Sequence, residues 1–361
     1  MKDTSTYGGH LMRKSLALVA SAALLTTLVA APAMAKDVKL TGGGATFAAP
    51  LLDKCKGEFA NATGDSYTYA SLGSGAGRSG WDKGDYDFAW SDTPHATPKD
   101  SNTIHVPVTA APVAVIYNVP GVDEQINLTP EILAEIFARK ITMWNDPKIK
   151  KENNKTIKTP VFKTQKIKTK VKGKTVTKTV IAVDKKGQPV VGSYKTETVE
   201  IDFPKLPIVV VYRSDSSGTS GVFTNYLAAR AAATWTKAGN NDFTASFPGQ
   251  INDAANFGAL QGAKGSEQTV PLTARIAGAI TYAESNYAKQ NGLPVAKIKN
   301  NAGNYTAPDA AGVSAFLGSA TTNANGTLTL DYKTTNPAAY ELGTTSYALV
   351  STSYKDPAKG A

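Results

Sequence analysis

The sequence predicts an α/β protein, and three features point that way. Short apolar runs alternate with stretches of helical period along the 361 residues. One helical stretch, "LTPEILAEIFARK", carries its own start and stop signals. Turns rich in glycine and hydroxyl residues join apolar runs to helices, as strands feed helices in this class. Apolar residues make up 42% of the chain, enough for a sizeable core, and the length suits two or three domains.

The first segment stands outside the fold. "MRKSLALVASAALLTTLVAAPAMA" begins with Arg13 and Lys14, continues apolar and ends in small residues at Ala33–Ala35. That is the grammar of an export signal over residues 1–35, with cleavage expected after Ala35 and a periplasmic, extracellular or cell-surface location for the rest. Lys36 stands where a bacterial lipoprotein has its cysteine. A helix is expected over Pro50 to Ala60, with Cys55 on its apolar face beside Leu51, Leu52 and Phe59. The sole cysteine rules out an internal disulfide or a cysteine metal cluster, and it is expected to be a small core residue. Strands are expected at "DYDFAWS" and "PVAVIYN". In "LTPEILAEIFARK", Thr129 caps a helix over Pro130 to Ala138, with Pro130 at its first position and Arg139 and Lys140 at its end. Then follow a strand at "LPIVVVYR", a helix over Val222 to Trp235, and strands at "IAGAITY" and "SYALVST". Asn300 to Asn336, rich in Asn, Ala, Gly and Thr, reads mostly as loops and short helix.

Charge is concentrated in one segment. The chain carries a formal +10. Between Lys148 and Lys205 sixteen lysines face five acidic residues, so the rest of the chain is nearly neutral. Within this segment "KIKTKVKGKTVTKTV" alternates and "DKKGQP" reads as a turn, which predicts a protruding β-hairpin or small sheet with exposed lysines. Such lysines protect strand edges from aggregation, or form a docking surface for an anionic wall polymer or lipid. Nucleic acid is disfavoured by export and by the lack of interleaved aromatics.

Three turns share one chemistry: "LTGGGATFAAPLLDKC", "YASLGSGAGRSGWDKG" and "YRSDSSGTSGVF". Each places glycines, which admit close backbone approach, and hydroxyls at a helix start, where unpaired N–H groups favour an anion. One such turn is ordinary capping; three in one exported chain suggest converging loops. Arg213 adds a planar cationic fork. No phosphate-loop lysine and no G-x-S-x-G elbow is present. Beyond the leader the histidines are His95 and His105 alone, so a hydrolase or a metal site has little to work with. His95 reads as a loop residue.

With these turns in view, the chain resembles the PstS-type phosphate-binding proteins, the extracytoplasmic receptors of phosphate ABC transporters. "LTGGGATFAAPL" is similar to L-T-G-A-G-A-T-F-P-A-P, and "LGSGAG" to a G-S-x-G turn. "YDFAWSDTP" is similar to D-F-x-x-S-D-x-P, and "YRSDSSGTSGVFTNYL" to R-x-D-x-S-G-T-[ST]-x-x-F-T-x-Y-L. "AGAITYAESNYAKQNGL" also resembles a family segment. The resemblance implies a two-lobed type II periplasmic-binding-protein fold, non-enzymatic, carrying a Lys-rich β insert (about 150–205). Lobe I would comprise 36–110 and 343–361, and lobe II 111–342. Because the family pattern continues past "YALVSTSYKD", the resemblance implies either a sequence cut short there, with lobe I incomplete at the C-terminus, or a variant whose lobe I is completed otherwise. The implied phosphate contacts are Thr46 (hydroxyl and N–H), Phe47 (N–H), Ser74, Asp92, Arg213, Ser217, Gly218 and Thr219. Asp92 would accept the ligand's proton and so reject sulfate, which has none at neutral pH. No cofactor or metal is implied. The implied partners are inorganic phosphate and the permease subunits, with the chain a monomer. A rival reading is a surface interaction protein that uses the basic insert to hold anionic polymer.

Overall fold

The structure, a computed structural model, describes residues 37–360, so the export signal lies outside the described residues. In chain order the elements that build the site are β1 (Lys39–Gly44), α1 (Ala49–Thr63), β2 (Ser66–Ser71), α2 (Ser74–Lys83), β3 (Phe88–Ser91), β4 (Thr103–Tyr117) and α3 (Pro130–Phe137). The insert supplies β5 (Lys155–Phe162), β6 (Thr164–Val171), β7 (Lys174–Ile181) and β8 (Val191–Val199). Then come β9 (Val209–Arg213), α4 (Gly218–Arg230), β10 (Leu260–Ala263), α5 (Ser266–Arg275), β11 (Ala279–Glu284), α6 (Ser285–Gln290) and β12 (Gly343–Ser351).

One eight-stranded sheet runs β10-β9-β11-β4-β12-β3-β1-β2. Each end is parallel, as strand–helix–strand crossovers require: β2, β1 and β3 on one side, β10, β9 and β11 on the other. Between them β4 and β12 run antiparallel. The fifteen-residue β4 belongs to both ends, pairing with β12 through Thr103–Pro112 and with β11 through Val113–Tyr117. This curled, two-lobed α/β sheet is the architecture expected from the sequence. The β4–β12 ladder slips between Ser346 and Tyr347, whose partners are Thr109 and Pro107, leaving Val108 as a bulge residue.

The larger core lies beside β9–β11. Tyr282 of β11 stacks on Phe223 of α4 with ring centroids 4.3 Å apart, and Phe137 of α3 meets Phe223 edge-on at 4.6 Å. Trp144 and Trp235 are also fully buried. Each such side chain contributes roughly 1.5–3 kcal/mol by leaving water. Thr129 caps α3 as expected, its Oγ1 accepting from Ile132 N–H at 3.2 Å. The smaller core, around Phe47, Leu52, Tyr67 and Trp90, lies under α1.

Two expectations are corrected. Cys55 is exposed rather than part of the core. Helix α1 buries Leu52, whereas Leu51 and Cys55 line an apolar groove of about 410 Å³ with Phe59, Phe88 and Val108, which no described residue fills. An amphipathic pattern identifies an apolar face but cannot say how much of it is covered. The helix expected from Val222 starts instead at Gly218 and ends at Arg230. Ser217, in extended conformation, accepts from Ser220 N–H at 3.1 Å and starts the helix four residues earlier.

The insert forms two ribbons, β5–β8 and β6–β7, that are exposed along almost their whole length. Directly opposed residues share a face. One face of β6–β7 therefore carries Lys166, Lys168 and Lys170 opposite Thr179, Thr177 and Thr175. The other face carries Ile167, Val171, Val176 and Val180 among Lys174 and Lys178.

Candidate functional site

Four helix starts meet between the two ends of the sheet. After β1 the chain turns through Thr46, 1% exposed, into α1. After β2, Gly73 takes φ 94°, a left-handed conformation open to glycine, and delivers Ser74 as the first residue of α2. From the opposite side, β9 ends at Arg213 and α4 begins at Gly218 behind its Ser217 cap. A fourth start, Ser266 of α5, follows β10. Helix starts present N–H groups and the positive end of the helix dipole, so their convergence builds a region suited to an anion.

Hydrogen bonds tie these pieces together. Ser74 Oγ donates to Asp92 Oδ2 at 3.3 Å and accepts from Asp92 N–H at 3.2 Å. Ser346 Oγ, from β12, donates to Asp92 Oδ1 at 2.6 Å. Thr219 Oγ1 reaches Glu284 Oε1 at 2.8 Å and Asp92 Oδ2 at 3.5 Å. The Arg213 guanidinium grips Asp215 with two bonds, Nε to Oδ1 at 2.7 Å and Nη2 to Oδ2 at 2.6 Å, while Nη1 donates to Ser266 Oγ at 3.2 Å. Ser266 Oγ lies 3.4 Å from Thr46 Oγ1, and Tyr287 donates its hydroxyl proton to Thr46 O at 3.1 Å. Gly75 N–H donates to Ser216 O at 2.9 Å. The two ends of the sheet thus touch directly, in a closed arrangement.

Gly218 shows how tight that closure is. A Cβ there would lie 2.4 Å from Ser74 Oγ and 2.9 Å from Asp92 Oδ2, closer than a real side-chain carbon comes. Only glycine lets α4 begin against the Asp92 carboxylate.

The electrostatics follow from burial. Asp92 is 3% exposed; desolvation pushes its carboxyl up to about 7, helped by the nearby Glu284 charge and opposed by the Ser346 hydrogen bond and Arg213. Burial alone would lower the Arg213 pKa, but the hydrogen bonds and charge of Asp215 more than offset it, and the guanidinium stays charged. Burial likewise works against ionised Asp215, and Arg213 together with Gly265 N–H overcomes it, holding the carboxyl below its usual range. The structure therefore supplies a fixed, oriented cation, Arg213, near a carboxyl poised to change protonation near neutrality.

Of the eight residues singled out from the sequence, Thr46, Ser74, Asp92, Arg213, Ser217, Gly218 and Thr219 meet in this region. The Phe47 ring packs into the smaller core, so only its backbone faces the question of binding. Sequence reasoning missed Asp215, Ser266, Glu284, Tyr287 and Ser346. The first stood within the quoted Arg213 motif, and "KGSEQ" is a fourth glycine–serine helix start that could have been read. The last three, at the end of β11, within α6 and in the middle of β12, carry no local signal. His95 bonds Asp82 at 3.0 Å, away from this cluster. Among the described residues no group of three or more His, Cys, Asp or Glu could hold a metal ion, and no helix is long and apolar enough to cross a membrane.

A family model described as a PBP superfamily domain matches residues 29–361. The chain is 26% identical over 332 residues to a phosphate-binding protein PstS of Xylella fastidiosa, covering 90% of this chain and 75% of that protein. It is 27% identical over 317 residues to phosphate-binding protein PstS 2 of Mycobacterium tuberculosis, covering 82% and 69%. Among solved structures it is similar to a high-affinity periplasmic phosphate-binding protein, PfluDING, bound with phosphate (TM-score 0.60, 22% identity, covering 88% and 82%). It is also similar to a phosphate-binding protein from Stenotrophomonas maltophilia (TM-score 0.57, 18% identity, covering 90% and 81%).

Proposed function

The chain belongs to the PBP superfamily, and on that ground we propose that it is an exported receptor that binds inorganic phosphate between its lobes and hands it to an ABC permease. The observation that carries this reading is the pairing of Arg213, buried and locked in place by Asp215, with Asp92, a buried carboxyl near its neutral point, amid converging helix starts. A fixed guanidinium attracts a tetrahedral oxyanion. A carboxylate beside it admits an anion only if that anion offers a proton. Phosphate does so at neutral pH and sulfate does not. Thr46, Phe47, Ser74, Ser217, Gly218 and Thr219 supply hydroxyl and N–H donors. The site binds and carries out no chemistry, with no cofactor or metal. Lobe I comprises residues 36–110 and 343–361, and lobe II the chain between; the receptor works as a monomer at the cell exterior or in the periplasm. Isothermal titration at neutral pH is expected to give saturable phosphate binding that excess sulfate does not displace. A folded sample that binds no phosphate overturns the reading.

The insert adds a second contact to this receptor and does not replace its function. Lys166, Lys168 and Lys170 repeat on one face of β6, about 6.8 Å apart at alternate residues, opposite threonines that can donate as well. That row suits an anionic surface polymer with regularly repeating charge. Lys155 pairs with Val199 at the base of the ribbon, so residues 155–199 can be replaced by a short turn. The deletion is expected to leave phosphate affinity unchanged within about twofold and to abolish salt-sensitive retention on purified anionic wall polymer. Retention unchanged by the deletion would remove the insert's role.

A further inference from the structure

The site holds a carboxylate that the phosphate reading does not use. Glu284 ends β11, is 1% exposed, and takes the Thr219 hydroxyl on Oε1 at 2.8 Å. Its other oxygen, Oε2, is buried and finds no hydrogen-bond donor among the described residues. Buried carboxylate oxygens are normally satisfied. One left bare beside the Thr219 hydroxyl is an acceptor without a donor. Asp92 lies on the other side of the same threonine hydroxyl, its Oδ2 at 3.5 Å. Two acidic groups therefore bracket Thr219, and Arg213 is already matched by Asp215.

We propose that Glu284 is a second proton-reading residue of the site, so that bound phosphate is held with one proton shared with Asp92 and another shared with Glu284. This rests on the phosphate reading above. The proton count balances in either of two ways. Dihydrogen phosphate brings both protons. Monohydrogen phosphate brings one, and the other is taken up from solvent as the site closes. No bond other than O–H is made or broken.

The charged and titratable groups around the pair are few. Arg213 at the end of β9 acts on both acids, and Asp215 faces Arg213. Tyr287 of α6 feels the Glu284 charge. Arg78 of α2 and Tyr69 of β2 feel Asp92. Desolvation and the Glu284 charge both favour protonated Asp92, consistent with a site too acidic to take an anion without accompanying protons. Sulfate supplies neither proton and faces two acceptors.

The test is isothermal titration with inorganic phosphate at about pH 8, in two buffers of different ionisation enthalpy, on the wild type and Glu284→Gln. The wild type is expected to take up close to one proton per phosphate, and its affinity to fall about tenfold per pH unit above that point. Glu284→Gln keeps an acceptor for Thr219 and adds an amide donor. It is expected to bind phosphate with no proton uptake and a nearly flat profile. Uptake and slope unchanged in the variant would overturn the proposal, as would a wild type that binds phosphate without taking up a proton. Should the variant fail to fold, the wild-type proton count alone decides. A folded wild type that binds no phosphate at any pH would instead overturn the phosphate reading.

Discussion

Asp92→Asn is expected to open the site to sulfate. Wild-type Asp92 is buried, and its ionised form turns an acceptor toward any anion. Asparagine removes the charge and offers an N–H, so sulfate gains a bond where it met repulsion. A site that reads a polar group through a buried partner discriminates by up to roughly 10⁴–10⁵. The substitution is expected to erase at least about a hundredfold of the phosphate preference, measured by competition titration of sulfate against phosphate. Unchanged selectivity would mean that Asp92 does not read the ligand proton. The wild type carries a pH signature of the same kind. With its carboxyl raised to about 7, ligand-free Asp92 is increasingly protonated below neutrality and ionised above it. Sulfate exclusion should therefore be strongest above about pH 7 and weaken as the pH falls. The sign for stability follows from the same shift. The folded state holds this proton where the unfolded chain has lost it, so the contribution is full below the unfolded carboxyl's range near pH 4. It is lost as the pH rises through about 7.

Arg213→Met is expected to have the largest effect on binding. Arg213 is 1% exposed and makes two bonds to Asp215 and one to Ser266. Removing it deletes the cation opposite the anion and strands the Asp215 carboxylate, to which Gly265 N–H still donates. Truncating one partner of a buried charge pair costs on the order of 3–5 kcal/mol of stability. Phosphate affinity should fall by about a thousandfold or more, since loss of a desolvated charged contact is worth several kcal/mol. The double variant Arg213→Met, Asp215→Asn separates the two effects. It should recover much of the lost stability in denaturant melts while titration still shows no phosphate binding. Recovery of binding would show that Arg213 serves only to neutralise Asp215.

The α/β class and most strands were legible because they rest on local pattern: period, caps and apolar runs. The turns at Thr46, Ser74 and Ser217 were legible for the same reason, since a helix start advertises itself in a few adjacent residues. What escaped was made by distance along the chain. Ser346 and Asp92 are 254 residues apart, and nothing in "TTSYALV" sets that serine apart from a surface hydroxyl. Glu284 looks like any strand-end acid until β11 is placed beside α4. Cys55 failed for a related reason. Its neighbours show that it lies on an apolar stripe, but coverage is decided by the whole assembly and not by the stripe.

The slip in the β4–β12 ladder has a mechanical meaning. The β4–β12 pair ties the two ends of the sheet together, and its bulge bends and twists that tie. That bend falls at Ser346, the hydroxyl that clamps Asp92. The bend in the tie and the hydroxyl bonded to Asp92 thus meet at one residue. Any change in that bend would alter the Asp92 hydrogen bond at the same stroke, coupling the arrangement of the two ends of the sheet to the solvation of one buried carboxyl.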